Sequence, residues 1–211
     1  MSVRQVFRVA IVALAFVVAG QESRAAFIVG STAFDFVGET TVPTGGNLNT
    51  ASGLTFGGGT GVNGIQVNAS RTGDFFSQLT FGAFGDVTSL NFNVAGAPVG
   101  STLTLPFNIT FAAGKTFTSS SGVVVVRTTA PPGAAGRLSA DILGTVNFTG
   151  FAPTAASLSV SFVQNGGPGN AIGGTGTLST IAPVPVPATF VLASLGGVMM
   201  AGARGLRRRL A

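Results

Sequence analysis

Between residues 26 and 182, the acid–base groups on offer are five carboxylates: Asp35, Glu39, Asp74, Asp86 and Asp141. Two carboxylates flanking a glycosidic bond suffice for hydrolysis, one as acid and the other as base or nucleophile. Only Asp35 and Glu39 are close in sequence. Asp74 and Asp86 stand in turn-like contexts, where aspartate bonds nearby backbone. The chain has no histidine and no cysteine. Serine–histidine and cysteine–histidine nucleophiles therefore cannot be assembled. The same absence removes the usual zinc, haem and thiol chemistry. Calcium takes carboxylate and carbonyl oxygens from acidic loops, and no Asp-rich loop occurs. Gly57-Gly58-Gly59 lacks the Lys-Ser/Thr pair and the following helix of a phosphate loop. No residue is assigned a catalytic, metal or cofactor role, and the chain is read as non-enzymatic.

The segment that must position these side chains reads as strand almost throughout. Apolar and polar residues alternate with period two, broken by Gly, Pro and Asn. Phe27, Val29, Phe34 and Phe36 open the pattern, and Leu54–Phe56 is a short strand. Ile65 and Val67 share a face, as do Leu79, Phe81 and Ala83, and then Leu90, Phe92 and Val94. The clearest strand runs from Thr102 to Phe111, with Leu103, Leu105, Phe107, Ile109 and Phe111 on one face. Pro106 cannot donate to a ladder, so this strand is expected at an edge or a bulge. Val123–Val126 is apolar on both faces, as in a central strand or a dimer contact. Leu138, Ala140, Ile142, Val146 and Phe148 point inward, with Gly144 breaking the row. Leu158, Val160 and Phe162 alternate with Ser157, Ser159 and Ser161, and a weaker strand closes the segment at Thr180. Nine or ten strands and no helix predict an all-β fold for residues 26–182. The expected form is a single antiparallel β-sandwich of jelly-roll type.

Charge is concentrated at the two ends. The whole chain has 11 basic and 6 acidic residues, a net charge of +5. The middle has only Arg71, Lys115, Arg127 and Arg137 against the five carboxylates, and so is slightly acidic. With no basic patch, nucleic acid is not a partner. Phe occurs 18 times, while Trp and Tyr are absent. Saccharide surfaces often use Trp or Tyr, which pair an apolar face with a polar edge.

Residues 1–25 read as a signal peptide. Arg4 and Arg8 form its basic start, and Val9–Ala19 is an apolar stretch too short to span a bilayer comfortably. Small residues at Ser23 and Ala25 place the cut between Ala25 and Ala26, with Gly20 as a second site.

Residues 183–211 have three parts in fixed order. Pro183, Pro185 and Pro187 come first, then an apolar run, then Arg204, Arg207, Arg208 and Arg209. Pro187 suits the first position of a helix. As a helix, residues 188–206 would span just under about 30 Å, close to a bilayer's hydrocarbon thickness. The arginines would stay cytoplasmic under the positive-inside rule, leaving the preceding chain outside.

This tail resembles the PEP-CTERM family of sorting signals, whose core motif is Val-Pro-Glu-Pro-Ala-Thr. The chain reads Val184-Pro185-Val186-Pro187-Ala188-Thr189. Val186 replaces the glutamate, which makes the motif similar to the Val-Pro-Leu-Pro-Ala variant of the signal. The resemblance implies a transient single-pass form in the inner membrane of a Gram-negative bacterium. It further implies processing by an exosortase and delivery to the cell surface or extracellular matrix. Family members are often associated with biofilm and exopolysaccharide. The expected role is therefore structural or interactive within such a matrix. A carbohydrate-binding module for the cell's own exopolysaccharide is the alternative, and a polysaccharide-processing enzyme ranks last.

Overall fold

The alternation that predicts strands also decides which side chains become core. In the computed structural model, residues 26–37, 48–57, 64–112, 114–128, 135–166 and 170–181 are described. The strands are β1 (Ser31–Phe36), β2 (Gly53–Leu54), β3 (Ile65–Arg71), β4 (Phe84–Val87), β5 (Leu90–Phe92) and β6 (Leu103–Thr104). They continue with β7 (Asn108–Ala112), β8 (Lys115–Thr128), β9 (Gly136–Phe148), β10 (Thr154–Gln164) and β11 (Ile172–Thr180). A 3-10 turn spans Leu48–Thr50, and one short helix, α1 (Asp74–Gln78), lies between β3 and β4.

The all-β expectation holds, but the jelly-roll sandwich does not. Eight strands close into one antiparallel barrel in the order β1-β11-β10-β9-β8-β7-β4-β3. Closure is made by β1, which pairs with β11 on one side and β3 on the other. A small sheet, β2-β5-β6, lies outside this ring. Period two cannot separate the two architectures, because both bury alternate residues. What bends one sheet onto itself is local. Register shifts at Thr32/Phe34, Thr110/Ala112, Ser119/Ser121 and Val124/Val126 mark bulges, which raise twist and curl a sheet.

The interior is filled rather than hollow. Rings lie in contact along the barrel: Phe56 on Phe36 (4.7 Å between centroids), Phe36 on Phe34 (5.6 Å) and Phe34 on Phe111 (5.9 Å). The series continues through Phe111 on Phe148 (6.3 Å) and Phe148 on Phe75 (5.5 Å). Phe162 packs beside Phe36 at 4.8 Å. Glycines on the facing strands make room for these rings. A Cβ on Gly174 would meet Phe162 at 2.5 Å, and one on Gly144 would meet Phe117 at 2.8 Å. Burying each Phe contributes about 1.5–3 kcal/mol, so a cysteine-free body can be held by packing.

Individual expectations fare unevenly. On β9 and β10 every residue read as inward is buried. The Thr102–Phe111 strand is instead two strands, β6 and β7, parted at Leu105-Pro106. Leu103, Phe107, Ile109 and Phe111 are buried there, but Leu105 is exposed. Proline supplies no ladder N–H at the break. The alternation at Leu79, Phe81 and Ala83 follows α1 and is not strand: Leu79 is buried and Phe81 faces solvent. In the Val123–Val126 run only Val124 is buried, because the bulge beside it turns its neighbours outward. Phe27 and Val29 are exposed while Ile28 is buried. The expected signal peptide at residues 1–25 and the expected sorting segment at 183–211, with its expected span at 188–206, lie outside the described residues. Among the described residues no helix is long and apolar enough to cross a membrane.

Candidate functional site

Among the described residues the carboxylates do not assemble an acid–base pair. Asp35 on β1 and Asp141 on β9 face outward on the same wall, three strands apart. That places them at least about 14 Å apart. Asp86 lies two strands from Asp35 in the other direction, about 10 Å across and about 7 Å farther along. Glycosidase carboxyl pairs stand about 5–9.5 Å apart. Asp74 is committed to the backbone: its Oδ2 accepts the Val29 N–H at 2.8 Å. Glu39, the proposed companion of Asp35, lies outside the described residues. Among the described residues no cluster of His, Cys, Asp or Glu could hold a metal ion.

The sorting residues Val184, Pro185, Val186, Pro187, Ala188 and Thr189, the arginines 204, 207, 208 and 209, and Ala25 also lie outside them. Ala26 is exposed, and its carbonyl accepts the Ala152 N–H at 3.0 Å.

What the fold does bring together is hydroxyl groups. On β1, β11, β10 and β9 the outward positions fall into lateral rows. One row is Ser31, Ser179, Ser157 and Leu143. The next is Ala33, Thr177, Ser159 and Asp141, and the third is Asp35, Thr175, Ser161 and Ser139. Neighbours in a row are about 4.8 Å apart, and neighbours along a strand about 7 Å apart. The grid is cross-linked: Ser159 Oγ donates to Asp141 Oδ1 at 2.8 Å, and Ser139 Oγ donates to Ser161 Oγ at 3.1 Å. These bonds hold the side chains in register while leaving lone pairs and protons facing out.

Such a face is chemically specific in kind. Each hydroxyl is one donor and two acceptors, the same complement as a sugar hydroxyl. A polyhydroxylated chain lying across the rows meets repeated hydroxyl partners, each worth about 0.5–1.5 kcal/mol net, with the Asp35 and Asp141 carboxylates as acceptors among them. No aromatic ring stacks within these rows. The wall is also the reverse of a transmembrane barrel's, which is apolar outside and polar within.

Two arginines serve the scaffold. Arg127 Nη2 donates to the Leu48 carbonyl, while Nε and Nη1 are buried with no partner among the described residues. Burial pushes this guanidinium below its ordinary value, and a guanidinium still keeps its charge at neutral pH. Gln164 Oε1 accepts the Leu48 N–H at 2.8 Å, so the 3-10 turn is tied to β8 and β10 together. Arg71 Nη1 donates to the Leu79 carbonyl behind α1.

The alternating serines of β10 are plain in the sequence. Their alignment with Thr175, Thr177 and Ser179 of β11 depends on register, which no local signal reports. No protein-family model matches the chain, and no curated protein or solved structure is detectably similar to it.

Proposed function

We propose that the chain is an exported surface or matrix protein, sorted through its PEP-CTERM-like C-terminal signal and processed by an exosortase. The observation that carries this reading is the order of parts in residues 183–211: proline motif, apolar run, arginine cluster. The route would run through the inner membrane, with a transient single-pass form before release or transfer. The barrel would then act structurally within exopolysaccharide or biofilm matrix.

The hydroxyl wall supports that role for the body. Its partners would be uncharged and polyhydroxylated, and its hydroxyl contacts many, weak and little affected by salt. Low charge and a filled interior favour embedding over catalysis. The same wall supports the second reading, a carbohydrate-binding module for the cell's own exopolysaccharide. Saturable binding to one defined glycan would favour that module. Graded retention by many neutral polysaccharides would favour the matrix role.

The deciding experiment for sorting is intact-mass measurement of the protein recovered from its native host. The expected species starts at Ala26 and lacks the arginine tail. A surface protein that keeps all four C-terminal arginines would overturn exosortase processing.

A further inference from the structure

The two ends of the barrel differ. Long connections and the β2-β5-β6 sheet occupy one end. The other carries α1, the turns at Gly114 and Gly150, and both points where the described chain meets its flanking segments. Ala26 and Ile181 are held there by the same strand-turn region, through Ala152 N–H to Ala26 O (3.0 Å) and Ile181 N–H to Ala155 O (2.8 Å).

This second end carries every exposed phenylalanine among the described residues, Phe27, Phe76, Phe81 and Phe84, together with Val29 and Ile181, whereas the residues exposed toward the other end, Val94, Val99, Leu105, Val123, Val125 and Val126, are all aliphatic. Phe76 and Phe81 are 66% and 64% exposed, although Phe75 beside them is fully buried. Two cations sit among the rings. The Arg71 guanidinium lies 5.1 Å from the centroid of the Phe76 ring, and Lys115 Nζ donates to the Gln78 carbonyl at the end of α1. Aromatic rings mixed with Arg and Lys are what settles at a lipid headgroup boundary.

We propose that this end of the barrel rests on a lipid surface, with its phenylalanine rim in the headgroup layer, while the chain is membrane-anchored. The inference rests on the reading of residues 188–206 as a membrane span. Six residues, 182–187, separate Ile181 from that span. Even fully extended they reach only about 20 Å. The tether therefore keeps the Ile181 end close to the bilayer. A short tether also raises local concentration to the millimolar range, so a weak partition into lipid suffices. Against the Asp74 carboxylate at the same rim, Arg71 and Lys115 leave one net positive charge, a weak preference for an anionic headgroup. In this pose the first row, Ser31, Ser179 and Ser157, lies near the rim, and the other two rows of the hydroxyl wall stand farther from the membrane.

The chain contains no Trp and no Tyr, so one introduced Trp reports alone. The full-length chain is reconstituted in phosphatidylethanolamine–phosphatidylglycerol vesicles carrying bromine at both shallow and deep acyl positions. Four single variants are compared: Phe76→Trp and Phe81→Trp on the rim, Val126→Trp toward the opposite end, and Leu195→Trp in the expected span. The expected result is clear quenching at Leu195→Trp, smaller but definite quenching with a blue shift at both rim sites, and none at Val126→Trp. Rim reporters quenched no more than Val126→Trp, with Leu195→Trp still quenched, would overturn the rim contact and leave the span standing. An unquenched Leu195→Trp would overturn the span and the rim contact together. Blue-shifted but unquenched rim reporters would mean that protein, another copy or the chain's own flanking segments, covers the rim, which also overturns the proposal.

Discussion

The ring of Phe34 on β1 lies over Gly176, its direct cross-strand neighbour on β11. A Cβ at Gly176 would fall inside that ring's envelope. Gly174, two residues earlier, is overlaid in the same way by Phe162 and Phe36. The bare glycine backbone leaves room for large rings at the β1–β11 seam, where the first and last strands of the described chain join. Closure and core packing therefore depend on the same few contacts.

Gly176→Val should destabilise the barrel by about 1–3 kcal/mol through overpacking. Phe34→Leu alone should also destabilise it. The double variant should cost less than the sum, because the smaller side chain makes room for the valine. Denaturant unfolding of the four proteins checks this, and simple additivity would remove Phe34 as the constraint on Gly176.

Asp74→Ala removes the carboxylate that accepts the Val29 N–H. A hydrogen bond to a charged group is worth about 1.5–3 kcal/mol, and less where it is exposed, as here. The effect should be local, with faster amide exchange around Val29 and little change on β9 and β10. Exchange rates read by mass spectrometry test this. Uniformly faster exchange would mean that the contact supports the whole fold.

Replacing Ser159 and Ser161 by Ala and Thr177 by Val strips hydroxyls from the centre of the wall. Each site faces outward, so folding stability should change by no more than about 0.5 kcal/mol per site. Affinity for purified exopolysaccharide, read by co-sedimentation, should fall on the order of 100-fold, at about 1 kcal/mol for each of three lost hydrogen bonds. The remaining binding should be nearly independent of salt. A strong salt dependence would assign binding to Arg and Lys side chains instead.

Pro185→Ala with Pro187→Ala alters the proposed sorting motif without touching the described barrel. In the native host the surface protein should then keep residues 190–211, and the intact mass should rise accordingly. An unchanged mass would show that cleavage does not read this motif.

Much of this protein was legible in one dimension. The inward residues of β9 and β10 follow from alternation alone, because a side chain's face on a strand is set by its parity. The same parity puts Phe27 and Val29 outside: the buried residues are Ile28, Thr32, Phe34 and Phe36, and grouping Phe27 and Val29 with Phe34 and Phe36 mixed odd positions with even ones. The break at Leu105-Pro106 was half visible: proline announced an interruption but not that the two halves would serve different sheets.

The sequence by itself determined strand content, the absence of histidine and cysteine chemistry, and the composition of the two ends. These are properties of residue type and local order. Only the tertiary structure decided that the sheet closes, that Asp35 and Asp141 stand far apart, and that serines and threonines from four strands meet in rows. Closure and register are settled by bulges and by rings seated over glycines, contacts between residues distant in the chain, which no local pattern records.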